Sequence, residues 1–381
     1  MKRVLLYALG LLAAAWVFYG GAVRTGRADR ISLPAGEIRG AWHVHTTRSD
    51  GLGTIDEVVK SARAAGLQFV VVADHNVLTP DDAGYRDGVL VVQATEVSTE
   101  FGHVVALGVP RALTDEERRG DPLRAIAALG GEAIVAHPFH PRRGFTGWDA
   151  GAWRGIEVVS NDQTWHQALA DRAVGTIAVG LLRLPWDPPQ GILTLVGAPR
   201  RELERFDEAL RGAPARGGRP PRVLFCSADA HGYPSYRAAF EAFSMHLPME
   251  LSGDAGRDGP AVIRALLDGR AACVFDGVAH ASGVRLERAG PGRVVLSLDA
   301  VFGTDLEVFA RRVVHGAQAP RVILSRNGAG VGETPAALVD GRNAVDLGGL
   351  CGAGGCGPGL YRAEVFLGTR PWILTNPVEL D

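Results

Sequence analysis

The chain of 381 residues predicts an α/β barrel, preceded by one apolar helix and followed by a small antiparallel β-sandwich. Three observations carry that expectation. Short apolar runs recur up to Ala228, and most end in His, Asp or Glu. Stretches of helical periodicity separate many of them. After Ala281 the helical stretches stop, and short strands follow one another between turn-rich segments.

The first element is the uncharged stretch 4–23, with Lys2-Arg3 before it and Arg24, Arg27 and Arg30 after it. As a helix it is about 30 Å long, the thickness of one bilayer. Trp16, Phe18 and Tyr19 suit a membrane interface. The expectation is a single-pass anchor with the membrane as partner and the rest of the chain outside the cytoplasm. Gly20-Gly21-Ala22 offers small residues for cleavage, so secretion after signal removal is the alternative. Residues 26–34 form a tether. The expected division is 1–35 for anchor and tether, 36–283 for the barrel and 284–381 for the sandwich.

The barrel opens at residues 37–42, which run into His43-Val44-His45. Two His one residue apart on a strand point to one face and offer two imidazole nitrogens to one metal ion. Asp50 adds a carboxylate nearby. Residues 54–65 have helical periodicity, an N-cap at Thr54, a capping-box Glu57 and a stop at Gly66. The apolar run 69–73 ends in Asp74-His75, and the run 89–95 ends in Glu96. His103 starts another apolar run. A short helix at 123–129 stops at Gly130-Gly131, and the run 133–136 ends in His137. Residues 155–160 form a further strand whose Glu157 and following Asn161 line the same end. A helical stretch at 166–184 is broken by the prolines of 185–189. Residues 203–210 are amphipathic, with Asp207 in a structural role. A Pro/Gly-rich loop at 213–221 leads to the run 223–228, which ends in Asp229-Ala230-His231. Each apolar run has the length and β-branched content of a buried parallel strand. In a barrel the C-terminal strand ends converge on one mouth, so these ligand types would meet there.

Beyond the barrel, strands are expected at 293–298, 305–309, 321–324 and 361–367. Cys226 and Cys273 lie in apolar runs and read as buried thiols. Cys351 and Cys356 flank a glycine-rich loop and can pair in an oxidising compartment, with a two-Cys zinc clip as the alternative. The formal net charge is −2, which leaves no basic footprint for nucleic acid. A salt-dependent nuclease is thereby disfavoured.

The ordered set His43, His45, Asp50, His75, Glu96, His103, His137, Asp229 and His231 resembles the metal sites of the polymerase-and-histidinol-phosphatase (PHP) family of hydrolases. The resemblance covers roughly residues 36–283. It implies a distorted (β/α)7 TIM-like barrel with two or three divalent ions. It further implies that His43, His45, Glu96 and Asp229 hold one ion, and that Glu96 bridges to a second held by His103 and His137. Asp50, His75 and His231 would hold a third. The mixed nitrogen and oxygen donors suit zinc, manganese or iron. Such ions supply hydroxide near neutral pH and polarise the bond under attack. Asp74 is expected to orient a ligand ring from behind. Arg48, His140, Arg142 and Arg143 are candidates for contact with an anionic substrate. Residues 371–377 resemble the end of the C-terminal domain in PHP hydrolases of the carbaryl-hydrolase type. The expected function is a phosphoesterase acting on a small molecule. Hydrolysis of a carboxyl ester, amide or carbamate is the alternative. A metal-dependent surface binding or sensor module is the alternative of another class.

Overall fold

The computed structural model describes residues 2–25, 34–150, 153–212, 223–302 and 320–380. Residues 26–33 of the expected tether, the loop at 213–221 and the expected strand at 305–309 lie outside the described residues.

Helix α1 (Lys2–Thr25) comes first. Among the described residues no helix is long and apolar enough to cross a membrane, so the expected membrane-spanning anchor finds no support. Helix α1 instead touches the body of the protein. Trp16 donates its Nε1 proton to the Leu182 carbonyl at 3.0 Å.

Strand β1 (Ile38–Val44) is buried along its whole length. Helix α2 (Ile55–Ala64) follows, with the Thr54–Glu57 capping box formed as expected and Val58, Val59 and Ala62 turned inward. Strand β2 (Phe69–Val72) is apolar and buried on both faces, as a central parallel strand must be. A three-residue strand β3 (Gly84–Arg86) flanks the longer β4 (Val89–Thr99), which turns back into β5 (Gly102–Leu107). Two short helices, α3 (Asp115–Arg119) and α4 (Pro122–Ala128), lead to β6 (Glu132–Val135) and then β7 (Trp153–Ser160). Four helices fill the excursion after β7: α5 (Asn161–Ala170), α6 (Val174–Arg183), α7 (Pro188–Leu193) and α8 (Arg200–Gly212). Strand β8 (Val223–Ala230) is buried throughout and pairs in parallel with both β7 and β1.

That last pairing closes a barrel. Its order is β1-β2-β4-β5-β6-β7-β8 and back to β1, seven strands among the described residues. Six run one way, and β5 alone runs against its neighbours. The reversal explains His103. An antiparallel strand begins where its predecessor ends, so a residue near the start of β5 sits at the mouth, opposite Ser98 of β4.

The sheet continues past the barrel. Helix α9 (Tyr236–Ala242) leads to β9 (Ser244–Leu247), which pairs antiparallel with β1. After helix α10 (Ala255–Leu267), β10 (Ala272–Val274) pairs with β9. The strands after Ala279 are antiparallel, as the pattern change predicted. Strands β11 (His280–Arg288) and β12 (Val294–Val301) pair with each other, and β15 (Gly341–Asp346) joins β12 to make a three-stranded sheet. Strands β13 (Arg321–Arg326), β14 (Ala329–Pro335), β16 (Gly359–Leu367) and β17 (Arg370–Thr375) form the order β14-β13-β16-β17, and β18 (Val378–Leu380) adds to β16. Strand β17 then pairs with β10, so this second group is one continuous sheet with the barrel.

The cysteines correct one expectation. Cys226 and Cys273 are not thiols but a disulfide, with Cα atoms 5.9 Å apart. Strand β9 brings them together. Met245 of β9 accepts the Cys226 N–H through Sδ at 3.4 Å and is the register partner of Cys273 on β10. Cys351 and Cys356 pair locally, as their loop allowed.

Candidate metal centre

The mouth is built first by the end of β1. His43 and His45 are fully buried. The argument from strand alternation placed both on one face. The chain reaches that result differently: His43 has φ 63°, and the pairing register of β1 slips between Ala41 and Val44. The two Nε2 atoms face each other at 3.0 Å. His137 and Asp229, at the ends of two other strands, also have positive φ, 26° and 39°. A left-handed backbone is unfavourable for such residues and persists only where the surroundings impose it, a pattern concentrated at functional sites.

Glu157 of β7 fixes the chemistry of His43. Its carboxylate is fully buried and accepts from Trp42 Nε1 at 2.7 Å and from the His137 backbone N–H at 2.9 Å. It also lies 2.7 Å from His43 Nδ1. A carboxylate at that distance keeps the ring proton on Nδ1 and leaves the Nε2 lone pair facing the centre. The sequence placed Glu157 only along the mouth. Its partners lie up to 115 positions away, so spacing alone does not show the contact.

Glu96 of β4 is the hub, and it too is fully buried. Its Oε2 lies 3.1 Å from His43 Nε2, 3.3 Å from His45 Nε2 and 3.1 Å from His75 Nδ1. Its Oε1 lies 2.8 Å from both His103 Nδ1 and His137 Nε2. Asp229 Oδ1 is 3.4 Å from His45 Nε2, and its other oxygen accepts from Ser160. Asp50 meets His45 Nδ1 at 3.5 Å, His75 Nε2 at 3.4 Å and His231 Nε2 at 3.4 Å. All nine residues named as ligands from the sequence therefore converge. Among the described residues, their donor atoms form the sets His45–Asp50–His75–His231, His43–His45–Glu96 and His75–Glu96–His103, each within 4.8 Å.

These donors fit divalent cations. Ligand atoms around a tetrahedral ion with bonds of 2.0–2.1 Å stand about 3.3 Å apart, the spacing seen here. His137 Nδ1 is buried without a hydrogen-bond partner. His75 Nδ1, though 3.1 Å from Glu96, lacks the alignment of a hydrogen bond. The electrostatics ask for positive charge. Burial opposes a charge on His45 and on His137, yet Asp229 and Glu96 on the first and Glu96 on the second outweigh it and push each pKa up to about 9. Burial also works against ionisation of Glu96, Asp229 and Asp50, but the surrounding imidazoles hold all three carboxyls well below the usual range. His103 goes the other way: burial outweighs Glu96 and lowers its pKa.

The residues expected around the ligands are placed less uniformly. Asp74 does not touch a ligand ring. It accepts from Thr46 N and Oγ1 at 2.7 Å each and from Ser49 Oγ at 2.6 Å, so it pins the loop that carries Asp50. In the same loop a Cβ at Gly51 would lie 2.5 Å from the His45 carbonyl, which only glycine avoids. Arg48 is half exposed, with Nε 3.1 Å from Asp82. His140 is buried beside His137, but its Nε2 points at Asp162, 3.4 Å away. Arg142 is exposed and donates to His166 Nδ1 at 3.0 Å, and Arg143 is exposed. His140, Asp162 and His166 have the composition of another metal set. Their hydrogen bonds argue otherwise. His140 Nδ1 accepts the N–H groups of Arg142 and Arg143, and His166 Nδ1 accepts from Arg142. Asp162 lies 3.4 Å from His140 Nε2 and 3.5 Å from His166 Nε2, so the three side chains cluster against the loop after His137.

No family model matches the chain. An uncharacterised protein of Methanocaldococcus jannaschii is 29% identical over 119 residues, covering 26% of this chain and 67% of that protein. Among solved structures, a two-domain protein of Bacteroides vulgatus, described as containing a predicted PHP-like metal-dependent phosphoesterase, is 14% identical with a TM-score of 0.41. The match covers 93% of this chain and 99% of that one. A candidate metal-dependent phosphoesterase of Bifidobacterium adolescentis is 16% identical with a TM-score of 0.31, covering 61% of this chain and 96% of that one. An amidohydrolase of Chromobacterium violaceum is 19% identical with a TM-score of 0.26, covering 35% and 83%.

Proposed function

We propose that the chain is a metal-dependent hydrolase of PHP type whose substrates are small phosphoesters. The observation that carries the reading is the convergence of nine His, Asp and Glu side chains on one barrel mouth, with Glu96 shared between donor sets. His43, His45, Glu96 and Asp229 would hold one cation, His103 and His137 with Glu96 a second, and Asp50, His75 and His231 a third. When bound, such cations activate water near neutral pH and neutralise charge developing on phosphoryl oxygens. The protein's part is placement. Glu157 keeps the His43 lone pair aimed inward, and Asp74 holds the loop of Asp50 in position. Arg48, Arg142 and Arg143 would stand along the path of an anionic substrate, and His140, buried with its Nδ1 accepting the N–H groups of Arg142 and Arg143, would position their loop. The phosphoester reading follows the resemblance of the ordered motifs.

The test is a panel of chromogenic phosphate monoesters, phosphate diesters and carboxyl esters, run on metal-free protein reloaded with zinc, manganese or iron. Turnover of phosphoesters that a chelator abolishes and metal restores is the expected result. Turnover confined to carboxyl esters, or none with two or more ions bound, would overturn the phosphoesterase reading.

A further inference from the structure

The donor sets of the mouth rest on different supports. His43, Glu96 and His103 are buried and stand on strands of the closed barrel. Asp50 and His231 stand on loops, with side chains 48% and 27% exposed. A loop holds a side chain less closely than a strand does, so a donor pair shared by two loops needs a group that fixes their places. Tyr236, the first residue of α9, sits where the two loops meet and is buried. Its hydroxyl donates to the His45 carbonyl at 2.9 Å and accepts the Gly53 N–H at 3.1 Å. Those two groups flank residues 46–52, the segment that carries Asp50. One phenol oxygen thus closes that segment across its base.

The ring fits against both loops. A Cβ at Gly53 would lie 2.6 Å from Tyr236 Cε2, and one at Gly232 would lie 3.1 Å from the same atom. Gly53 ends the Asp50 loop and Gly232 follows His231, so each loop presents a glycine to the ring. The loops also meet directly. The Leu52 N–H donates to the His231 carbonyl at 2.8 Å, and the rings of His45 and His231 stack with centroids 4.2 Å apart. Asp74 pins the Asp50 loop at Thr46 and Ser49, which leaves its Gly53 end to Tyr236. His45 has a separate tie to β8, its N–H donating to the Ala230 carbonyl at 3.0 Å. Loss of the phenol therefore frees the Gly53 end of the loop more than it frees His45. The hydroxyl is engaged by backbone on both sides, so it acts through the donors and touches neither cation nor substrate.

We propose that Tyr236 is a positioning residue that sets the cation affinity of the His45–Asp50–His75–His231 set and leaves the sets centred on Glu96 unchanged. This rests on the metal-binding reading of the mouth and not on the phosphoester reading. The full-length protein and its Tyr236→Phe variant are equilibrated with zinc at buffered free concentrations, and bound zinc is counted per chain by elemental analysis. The melting temperature checks folding. Asp50→Ala is run alone and combined with Tyr236→Phe. Should Tyr236→Phe fail to fold, Gly53→Ala replaces it, because its Cβ crowds the same ring from the loop side. Wild type is expected to hold three zinc ions. Tyr236→Phe is expected to weaken one of them by about tenfold and to keep the other two within about twofold. Added to Asp50→Ala, it should change zinc binding no further, since both act on one set. Wild-type affinity for all three ions in Tyr236→Phe would overturn the proposal. A loss shared equally by all three, or one that persists beside Asp50→Ala, would overturn it too, and would make Tyr236 a general support of the fold. One or two ions in wild type would overturn it while leaving a metal-dependent hydrolase standing. None would remove the metal centre and the proposal together.

Discussion

Glu157 shows what a single buried carboxylate can control. It touches Trp42, His43 and the His137 backbone at once, so it sets a ring proton and two strand ends together. Glu157→Gln keeps the shape but no longer holds the Nδ1 proton by charge. Metal affinity and turnover are expected to fall by about 10–100-fold in a folded protein, measured by metal titration and initial rates. Wild-type affinity would remove Glu157 from the centre. Glu96→Gln should go further, with metal occupancy lost and hydrolysis abolished while the circular dichroism spectrum stays unchanged. Protons give a second handle. His45 and His137, with pKa values raised to about 9, hold protons at neutral pH, and a cation must displace them. Metal affinity should therefore rise as pH goes from about 6.5 to 9, and binding should release protons, read as a buffer-dependent enthalpy in calorimetry. Affinity falling over that range would contradict the ligand roles of these two His. At this scale the sequence was informative because ligand types sit where apolar runs stop, so His75, Glu96, His137 and Asp229 could be read one by one. Asp74 misled, since it stands beside His75 in the chain but faces Thr46 and Ser49 in space.

Between elements, the contacts that spacing does not show are those made across the sheet. The capping box of α2 was readable because its partners are three residues apart. The Cys226–Cys273 bridge spans 47 residues and depends on where β8 meets the β9–β10 pair, which no local pattern announces. It ties the strand of Asp229 to β10. Closing a loop of that length contributes roughly 4 kcal/mol through the unfolded chain. The protein with both Cys226→Ala and Cys273→Ala should melt several degrees lower, and an unchanged melting temperature would show that the bridge does not form. A second tie joins α8 to the C-terminal sheet. Arg362 is 2% exposed and reaches Asp207 at 2.8 Å and Glu364 at 2.6 Å, which bears out the structural role expected of Asp207. Arg362→Met would leave both carboxylates facing an apolar side chain and is expected to cost about 3 kcal/mol in chemical denaturation.

For the whole molecule, the barrel and the later strands meet at His246 of β9. Its Nδ1 lies 2.9 Å from Glu37, just before β1, and its Nε2 lies 3.3 Å from Asp276, though not aligned as a hydrogen bond. Arg39 reaches Asp276 from β1, and Glu37 accepts the Gly283 N–H at 2.7 Å. Burial opposes a charge on His246, but Asp276 and Glu37 outweigh it and raise its pKa to about 9. A raised folded-state value means stability that is full below about pH 6.5 and lost as pH rises through about 9, up to about 3 kcal/mol. Unfolding by urea across that range should show the decline, and His246→Gln should make it shallower, leaving the part that His45 and His137 contribute. The antiparallel character after Ala279 was legible from strands without helices between them. The continuity of those strands with the barrel was not, because β9 and β10 are only four and three residues long and look like loop in isolation. That continuity bears on biosynthesis. Every candidate ligand has been synthesised once His231 is made, yet β10 keeps one edge bare until residues 370–375 arrive to form β17. A growing chain would thus carry a finished metal mouth beside an open strand edge, the kind of edge that pairs with strangers. Stalled or truncated chains should aggregate through β10, and whatever escorts nascent chains must cover that edge until β17 is made.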